Sequence, residues 1–414
     1  MTNVLLLTID SLRADRCSEK YFPKSWSILE REFDRFTEAY SHGVATPFAF
    51  PGIITGQLPK NDGTLPGTPT LAELCSGKSV AYANNPHLRP DRGYDRGFDE
   101  FSYLGGYSGN TLKQRVFHHL GQVEVIKWVY DSINKIVATV NEEQFKEPYR
   151  SAMEQVQRVD SALSNDVSFC WAHFQDPHFP FSIESVADGM IRDNFDTEHV
   201  RTLNDEYISG DILDDTDSLS KLVEMYDENI RYLDRQLSKL LEKLDKQGWF
   251  ENGVVAITAD HGEVFGESGM TNHPWDALPL DALTQIPLLI STPSNEATIH
   301  DQLVQHSDLF RFLAGHLTDD IPSADHRYNL YDDTHRYVVS KSNAVVRCLS
   351  SDGSVVNFRD GRMDIDGSPS QSQIEYTKEI SFPSIEKSSG TIPGVPDSNH
   401  QEIEKRLEAL GYVD

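Results

Sequence analysis

Two acidic residues stand at the ends of short apolar runs, where each could bind a cation. Asp10 follows the apolar run 4–9, and Asp260, directly followed by His261, ends the run 254–259. A carboxylate at the end of a buried strand is costly to desolvate unless it meets a cation or a hydrogen-bond donor. The alternative is that Asp10 caps a helix and that the Asp-His-Gly sequence forms a turn. Because both motifs occur together, the pattern favours a divalent metal site with two carboxylates and one imidazole.

Polar residues also follow two further apolar runs. Asn85 comes shortly after the run 79–83, and Asp176 and His178 come shortly after the run 167–174. In an open parallel sheet the active-site crevice lies outside the carboxyl ends of the strands. If these strands are parallel, the four sets of polar residues meet at one edge of the sheet. The sequence therefore predicts an active site there.

The composition excludes some classes of partner. The 414 residues include 37 basic and 65 acidic ones, which gives a net charge of −28. Nucleic acid and anionic membrane surfaces are poor partners for such a chain. The excess acid is spread along the sequence, for example at 211–217 and 332–333, which is typical of a solvated surface in a salty cytoplasm and predicts a halophilic source.

Neither the cysteines nor the hydropathy indicate an exported protein. The four cysteines are far apart and form no CxxC pair, so we expect neither a disulfide framework nor a zinc knuckle. The N-terminus shows no basic region with a cleavable apolar stretch, and no window approaches eighteen apolar residues. We therefore expect a soluble, cytoplasmic protein, whose oligomeric state the sequence leaves open.

The elements that position these residues alternate between strands and helices. This alternation predicts an α/β fold with a mainly parallel sheet sandwiched by helices. A fifth strand is predicted at 286–291, and the clearest helix, at 218–246, carries one apolar stripe. Other helices are predicted near 24–36, 111–137 and 141–164. The acidic tract 184–217 has little apolar periodicity, which indicates an insertion or lid.

The alternation weakens after about residue 320. Residues 336–363 have the pattern of antiparallel strands, residues 384–399 that of an extended tail, and residues 401–410 that of a short helix. We predict a catalytic domain at 1–325 and a small C-terminal subdomain, containing β-structure and a tail, at 326–414.

An ordered set of motifs resembles the sulfatase branch of the alkaline phosphatase superfamily. The matching segments are Asp10-Ser11-Leu12-Arg13-Ala14-Asp15, the loop 46–56, Asn85-Pro86, and the segments 93–99, 176–181, 260–263, 266–269, 273 and 286–290. The resemblance covers nearly the whole chain. It implies an alkaline-phosphatase-like core that performs metal-dependent ester chemistry.

The chain departs from the family at the nucleophile. Family sulfatases carry Cys or Ser followed by x-Pro-x-Arg, and they convert the first residue to formylglycine. Here Thr46 takes that position, Phe50 stands where the Arg would be, and Pro47 is one place early. Threonine cannot become formylglycine, and superfamily members with threonine at this position are phosphoryl-transfer enzymes. Ser41 is an alternative nucleophile that nothing in its context supports.

Thr46 also has a purely structural interpretation. A Thr-Pro pair commonly begins a helix, with the threonine as N-cap. The two interpretations agree, because the positive end of a helix dipole attracts an anionic ester. A cation bound beside Thr46 would lower the pKa of its hydroxyl group.

Two histidines are candidates for proton transfer and anion binding. Attack on a phosphate or sulfate ester requires charge neutralisation and a proton for the leaving oxygen, and histidine supplies both near neutral pH. By resemblance, His178 and Asp176 line the anion pocket together with Asn85, and His273 faces the anion. The alternative for each histidine is a loop residue bonded to a carboxylate. His173, within a strand, is expected to be a core residue.

The ligand set limits the identity of the metal. Calcium sites in family sulfatases tend to have a second Asp after the first and an Asn after the later Asp, and here Ser11 and His261 take those places. A site made of Asp10, Asp260, His261 and the Thr46 oxygen suits one manganese or zinc ion better than calcium, with magnesium also open. No set of ligands for a second ion is evident.

These observations predict a metal-dependent hydrolase or transferase that attacks phosphomonoesters or phosphodiesters through Thr46. Its substrate would be an anionic small molecule or glycan. One rival is a sulfatase that works without formylglycine. Another is a catalytically silent relative that acts as a binding protein, which the presence of Asp10, Asp260 and His261 argues against.

Overall fold

The computed structural model describes residues 2–60, 63–103, 106–109, 149–181, 197–293, 296–320, 329–332 and 336–381. Its strands are β1 (Asn3–Ile9), β2 (Asp34–Tyr40), β3 (Ser79–Tyr82), β4 (Glu100–Tyr103), β5 (Gly106–Gly109), β6 (Phe169–Phe174), β7 (Gly253–Ala259), β8 (Val264–Phe265), β9 (Thr271–Asn272), β10 (Gln285–Ser291), β11 (Ile299–His300), β12 (Val304–Gln305), β13 (Tyr337–Lys341), β14 (Val346–Ser350), β15 (Val355–Arg359) and β16 (Arg362–Asp366). Strands β1 to β7 and β10 to β12 form one large sheet, in the order β11-β2-β10-β7-β1-β6-β3-β4-β5, with β12 also paired to β2.

The centre of this sheet is parallel, as predicted. Strand β1 pairs in parallel with β6 and β7, and β3 pairs in parallel with β6 and β4. Strand β10 is antiparallel to both β7 and β2. Every residue of β6 and β7 is buried, because helices cover both faces of the central strands. This double burial explains why these strands are continuous apolar runs in the sequence.

The helices are α1 (Trp26–Glu32), α2 (Thr46–Thr55), α3 (Leu71–Leu74), α4 (Ala152–Leu163), α5 (Thr197–Ser209), α6 (Thr216–Lys246), α7 (Trp249–Asn252), α8 (Asp281–Thr284), α9 (His306–Leu317) and α10 (Gln371–Ser381). Helix α6 confirms the prediction for 218–246, and its apolar stripe is buried. No helix of the described segments is long and apolar enough to cross a bilayer.

The structure differs from the sequence-based predictions at the helix near 24–36 and in the acidic tract 184–217. The helix predicted at 24–36 ends at Glu32, and strand β2, whose side chains alternate between buried and more exposed positions, begins at Asp34. The tract 184–217 has more apolar periodicity than the sequence indicated, whereas its role as an insertion or lid stays a prediction. Residues 197–209 form α5, which buries Val200, Leu203 and Tyr207 at helical spacing.

Several predicted elements lie outside the described residues. These are the helix at 111–137, the first part of that at 141–164, residues 184–196 of the acidic tract, the tail 384–399 and the helix 401–410.

A smaller antiparallel sheet, in the order β13-β14-β15-β16, confirms the prediction for 336–363. Helix α10 packs on it, and the Gln373 amide donates to the carbonyl oxygens of Cys348 and Ser354. Strand β13 contacts the chain just before α2, where the Lys341 backbone N–H donates to the His42 carbonyl oxygen at 2.9 Å. The domain boundary at 325/326 stays a prediction.

Candidate active site

The parallel strands bring two carboxylates to one edge of the sheet. Asp10 follows β1 and Asp260 follows the adjacent β7, and both are fully buried. His261 Nε2 lies 3.5 Å from Asp10 Oδ1 and 3.7 Å from Asp260 Oδ2. The backbone N–H of Ser11 donates to Asp260 Oδ1 at 3.3 Å, which ties the two strand ends together. Two acidic residues and one imidazole therefore meet in a site closed to solvent.

Thr46 lies at the start of α2 and faces this group. Its Oγ1 is 3.5 Å from His261 Nε2 and accepts a hydrogen bond from Asn85 Nδ2 at 3.3 Å. The N-cap of α2 is Ala45, so the structural interpretation of Thr46 as the N-cap was wrong by one residue. The Thr46 hydroxyl group therefore does not cap α2, and its contacts are with site residues. The hydroxyl of the alternative nucleophile, Ser41, donates to the Gly43 carbonyl oxygen at 2.8 Å within the preceding turn.

Asp10 is held by two side chains on one of its oxygens. Asn85 Nδ2 donates to Asp10 Oδ2 at 2.8 Å, and His173 Nε2 lies 3.1 Å from the same atom. The prediction that His173 is a core residue is confirmed, because it is fully buried in β6. It also contacts Asp10, a residue of the site, which the sequence reasoning did not anticipate. Its place next to the last residue of a strand is the one signal in the sequence that could have found it.

The histidines predicted for proton transfer lie together beside His261. The ring of His273 is 4.5 Å from that of His261 and 4.9 Å from that of His178, measured between centroids. His273 Nδ1 is also 3.2 Å from the carboxylate of Glu263, a residue that the sequence reasoning left without a role. The alternative of a histidine bonded to a carboxylate thus holds for His273, within the site itself.

Asp176 anchors a neighbouring helix. Its Oδ1 accepts a hydrogen bond from the Ala152 backbone N–H at 2.9 Å, at the start of α4. This bond links α4 to the end of β6. The role of Asp176 in substrate binding stays a prediction.

The electrostatics of the two carboxylates differ. Burial opposes the ionisation of Asp10, but the neighbouring His178 and the hydrogen bond from His173 outweigh it and hold the pKa of Asp10 well below its usual value. Burial, with the adjacent charge of Asp10, raises the pKa of Asp260 well above its usual value. Without a cation the site therefore carries one carboxylate charge readily and a second only at high cost.

Burial also controls the ionisation of the residues around them. It lowers the pKa of His178 to about 4 and the pKa of His273 well below its usual value. It raises the pKa of Glu263 to about 8. The two imidazoles are consequently neutral near pH 7 when no anion is present.

The residues fit a divalent cation. Asp260 Oδ2 is buried and has no hydrogen-bond partner among the described residues. His261 Nε2 is 3.5 to 3.7 Å from Asp10 Oδ1, Asp260 Oδ2 and Thr46 Oγ1. Ligand atoms about 3.4 Å apart surround a tetrahedral ion with bonds of about 2.1 Å. Ligand atoms of Asp10, His173 and Asp260 also lie within 4.8 Å of one another, so the geometry offers two overlapping ligand sets.

The α/β fold is similar to that of solved structures from the alkaline phosphatase superfamily. The solved structures it resembles include a phosphonate monoester hydrolase from Silicibacter pomeroyi, with a TM-score of 0.62 and 14% identity over 92% of this chain and 94% of that one. A protein of the alkaline phosphatase superfamily from Vibrio parahaemolyticus gives a TM-score of 0.59 and 15% identity over 99% of this chain and 86% of that one. At such identities the likeness shows the fold.

The chain belongs to the sulfatase family, whose model matches residues 2–319. This confirms the resemblance found in the motifs. The chain is also similar to the iduronate 2-sulfatase of Mus musculus, with 32% identity over 125 residues, which are 30% of this chain. The match spans only 22% of that enzyme.

Proposed function

We propose that this sulfatase-family protein is a metal-dependent hydrolase or transferase of phosphate esters with Thr46 as its nucleophile. The observation that carries the proposal is the position of Thr46 Oγ1 at the N-terminus of α2, 3.5 Å from His261 Nε2 and beside the two buried carboxylates. Phe50, which stands where family sulfatases have Arg, is fully buried and packs its ring on Trp171 and His173.

The ligands proposed for the ion are Asp10, Asp260, His261 and the oxygen of Thr46. This donor set suits manganese or zinc, with magnesium or calcium as alternatives. When bound, such an ion supplies positive charge that lowers the pKa of a neighbouring hydroxyl group and neutralises ester oxygens. The N-terminus of α2 would attract the remaining anionic oxygens, and Asn85 would bind one of them with the amide N–H that it otherwise donates to Thr46 Oγ1.

In the proposed reaction, Thr46 Oγ1 forms a bond to phosphorus as the bond from phosphorus to the leaving oxygen breaks. Water or an acceptor alcohol then attacks phosphorus and releases Thr46. An anionic ester beside His178 and His273 raises their lowered pKa values, because an opposite charge favours the protonated imidazole. The two histidines would thus become able to protonate the leaving oxygen only when substrate is bound.

The preference for phosphate over sulfate follows from the threonine. Family sulfatases use a formylglycine hydrate, whose hydroxyl group helps to expel sulfate, and Thr46 cannot form one. A sulfated threonine would require attack by water at sulfur without this assistance. Sulfate ester hydrolysis is nevertheless the second candidate, because of the sequence similarity to iduronate 2-sulfatase. A silent binding protein is a third, and the complete set of Asp10, Asp260 and His261 argues against it.

A parallel assay tests the proposal. Phosphomonoesters, phosphodiesters, phosphonates and sulfate esters are each incubated with manganese, zinc, magnesium or calcium. Thr46→Ala should abolish the hydrolysis of phosphate esters, and Thr46→Ser should retain part of it, because serine keeps the hydroxyl group. Ser41→Ala is the matched control and should remain active.

Mass spectrometry after brief incubation should find a phosphate adduct on the peptide that contains Thr46. Turnover of sulfate esters by the unmodified protein, with phosphate and phosphonate esters untouched, would establish the sulfatase alternative instead.

A further inference from the structure

A chain of buried hydrogen bonds ends on one of the proposed metal ligands. Trp171 Nε1 lies 3.0 Å from Thr8 Oγ1, and Thr8 Oγ1 lies 3.0 Å from His173 Nδ1. His173 Nε2 lies 3.1 Å from Asp10 Oδ2. All four side chains are fully buried. We call this chain of four residues the Trp171–Asp10 relay.

The strand pairing creates the relay. Thr8 and His173 are partners in the parallel ladder of β1 and β6. Asp10 is two residues after Thr8, and Trp171 is two residues before His173. Because side chains alternate along a strand, each of these pairs lies on one face of the sheet. Phe50 of α2 covers this face, with its ring centroid 5.0 Å from that of His173 and 5.4 Å from that of Trp171.

The donors and acceptors of the relay define the tautomer of His173. The indole N–H of Trp171 can only donate, so Thr8 Oγ1 accepts from it. The single hydroxyl proton of Thr8 then points either to His173 Nδ1 at 3.0 Å or to the Ala172 carbonyl oxygen at 3.4 Å. The shorter contact favours His173. Nδ1 is therefore the acceptor, and Nε2 carries the proton and donates it to Asp10.

This assignment separates the two oxygens of Asp10. Oδ2 accepts from both His173 Nε2 and Asn85 Nδ2. Oδ1 accepts from Ser11 Oγ at 3.1 Å and keeps a second lone pair on the side of His261 Nε2, which is 3.5 Å away. A protonated Nε2 offers no lone pair to a metal. Of the two overlapping ligand sets, the one without His173 keeps the hydrogen bond from Nε2 to Asp10, whereas the one with His173 requires Nε2 to lose its proton.

We propose that His173 is a positioning residue that turns Oδ1 of Asp10 toward the cation, and that it is not itself a metal ligand. The proposal rests on the metal site proposed above. It assigns a role in metal binding to Thr8 and Trp171, which lie deeper in the sheet and belong to neither ligand set.

The tautomer can be tested without metal or substrate. Nitrogen-15 NMR of the metal-free protein with labelled histidine should show His173 as the neutral tautomer protonated at Nε2, with the signal assigned by its loss in His173→Gln. Added Zn²⁺ should leave that proton in place. Protonation at Nδ1 in the metal-free protein, or loss of the Nε2 proton when Zn²⁺ is added, would overturn the proposal.

The affinity for Zn²⁺ tests the consequence of the relay. His173→Leu should weaken Zn²⁺ binding by about 10- to 100-fold, the range typical of residues that orient a ligand. His173→Gln should recover part of the loss, because its amide N–H can still donate to Asp10. If His173 were itself a ligand, Zn²⁺ would instead displace the proton from its Nε2.

A pair of variants at Thr8 guards against misfolding of the His173 variants. Thr8→Val keeps the volume of the side chain and does not contact Asp10. It removes the hydroxyl group that selects one tautomer of His173, so it should allow both tautomers and weaken Zn²⁺ binding. Thr8→Ser keeps the hydroxyl group and should change neither property. Equal Zn²⁺ affinity in Thr8→Val and Thr8→Ser would count against the relay. A wild-type protein that takes up no Zn²⁺ while His173 shows the expected tautomer would disprove the proposed metal site and leave the tautomer assignment standing.

Discussion

Of the two carboxylates in the site, Asp260 is the one whose ionised form is less stabilised by its surroundings. Its Oδ1 accepts from the backbone N–H groups of Ser11 and His261, at 3.3 and 2.8 Å. Its Oδ2 has no hydrogen-bond partner in the part of the chain that the structure describes, and it lies 3.7 Å from His261 Nε2. Burial and the neighbouring charge of Asp10 raise its pKa, so ionised Asp260 destabilises the metal-free fold. A carboxylate in this state gains most from a cation.

We predict that Asp260→Asn abolishes metal uptake and lowers catalytic activity by about 10³-fold or more, equivalent to about 4 kcal/mol of transition-state stabilisation. The metal-free variant should stay folded. Its melting temperature at neutral pH should equal or exceed that of the wild type, because a folded-state pKa above the unfolded value makes the ionised carboxyl destabilising there. Calorimetry and metal analysis measure both effects. The exposed Asp364→Asn is the control, and normal metal uptake by Asp260→Asn would refute the prediction.

At the scale of elements, α2 carries the proposed nucleophile, and all ten of its residues are buried. It ends at Gly56, whose positive φ of 67° suits glycine. Gly52 faces His42 so closely that a Cβ atom there would lie 2.1 Å from His42 Cδ2. His42 in turn contacts β13 through its backbone carbonyl. The position of Thr46 thus depends on packing against the smaller sheet.

Gly52→Ala should therefore destabilise the protein, although alanine favours helices over glycine by about 1 kcal/mol. The overlap with His42 costs about 1–3 kcal/mol in a packed core, which is more than the gain in helix propensity. We also expect lower activity, since α2 must shift. In contrast, Gly315→Ala at an exposed position of α9 should stabilise by up to about 1 kcal/mol. Urea unfolding measures the free energy of unfolding of both variants. An equal increase for Gly52→Ala and Gly315→Ala would contradict the packing argument.

Helix α9 gives the fold a pH dependence of its own. Asp308, in its first turn, accepts from the Gln305 backbone N–H at 3.0 Å, and burial raises its pKa from 3.8 to about 7. The folded state then binds the proton more tightly than the unfolded state. The free energy of unfolding should consequently fall as pH rises from about 4 to 7, by about 1.4 kcal/mol per unit of the pKa difference at most.

Asp308→Asn should remove this contribution, so its unfolding free energy should fall less than that of the wild type between pH 5 and 8. Chemical denaturation at a series of pH values measures the difference. Parallel curves for the two proteins would show that Asp308 is not the titrating group.

For the whole molecule, the net charge of −28 is the dominant property. Repulsion among so many acidic groups opposes the compact state, and salt at about 1 M shortens the screening distance to about 3 Å. We propose a halophilic source on this ground. The melting temperature should rise between dilute buffer and molar potassium chloride. A melting temperature that stays constant or falls would argue against halophilic adaptation, without bearing on catalysis.

The sequence by itself determined the parts of the protein that depend on local pattern. Strands β1, β6 and β7 are continuous apolar runs because they are buried on both faces, and α6 has one apolar stripe because it is buried on one. The polar residues at the strand ends predicted the group formed by Asp10, Asp260 and His261, since parallel strands share one carboxyl edge. Strand β2 was missed because it is only partly buried and therefore has few apolar residues to form a pattern.

Only the tertiary structure decided which side chains touch each other within the site. His173 and Asp10 are 163 positions apart, and their contact depends on the register between β1 and β6. The pairing of Glu263 with His273 likewise depends on how loops fold back over the strand ends. A hydrogen bond requires its atoms to approach within about 3 Å, whereas a sequence pattern specifies only a face or an end of an element.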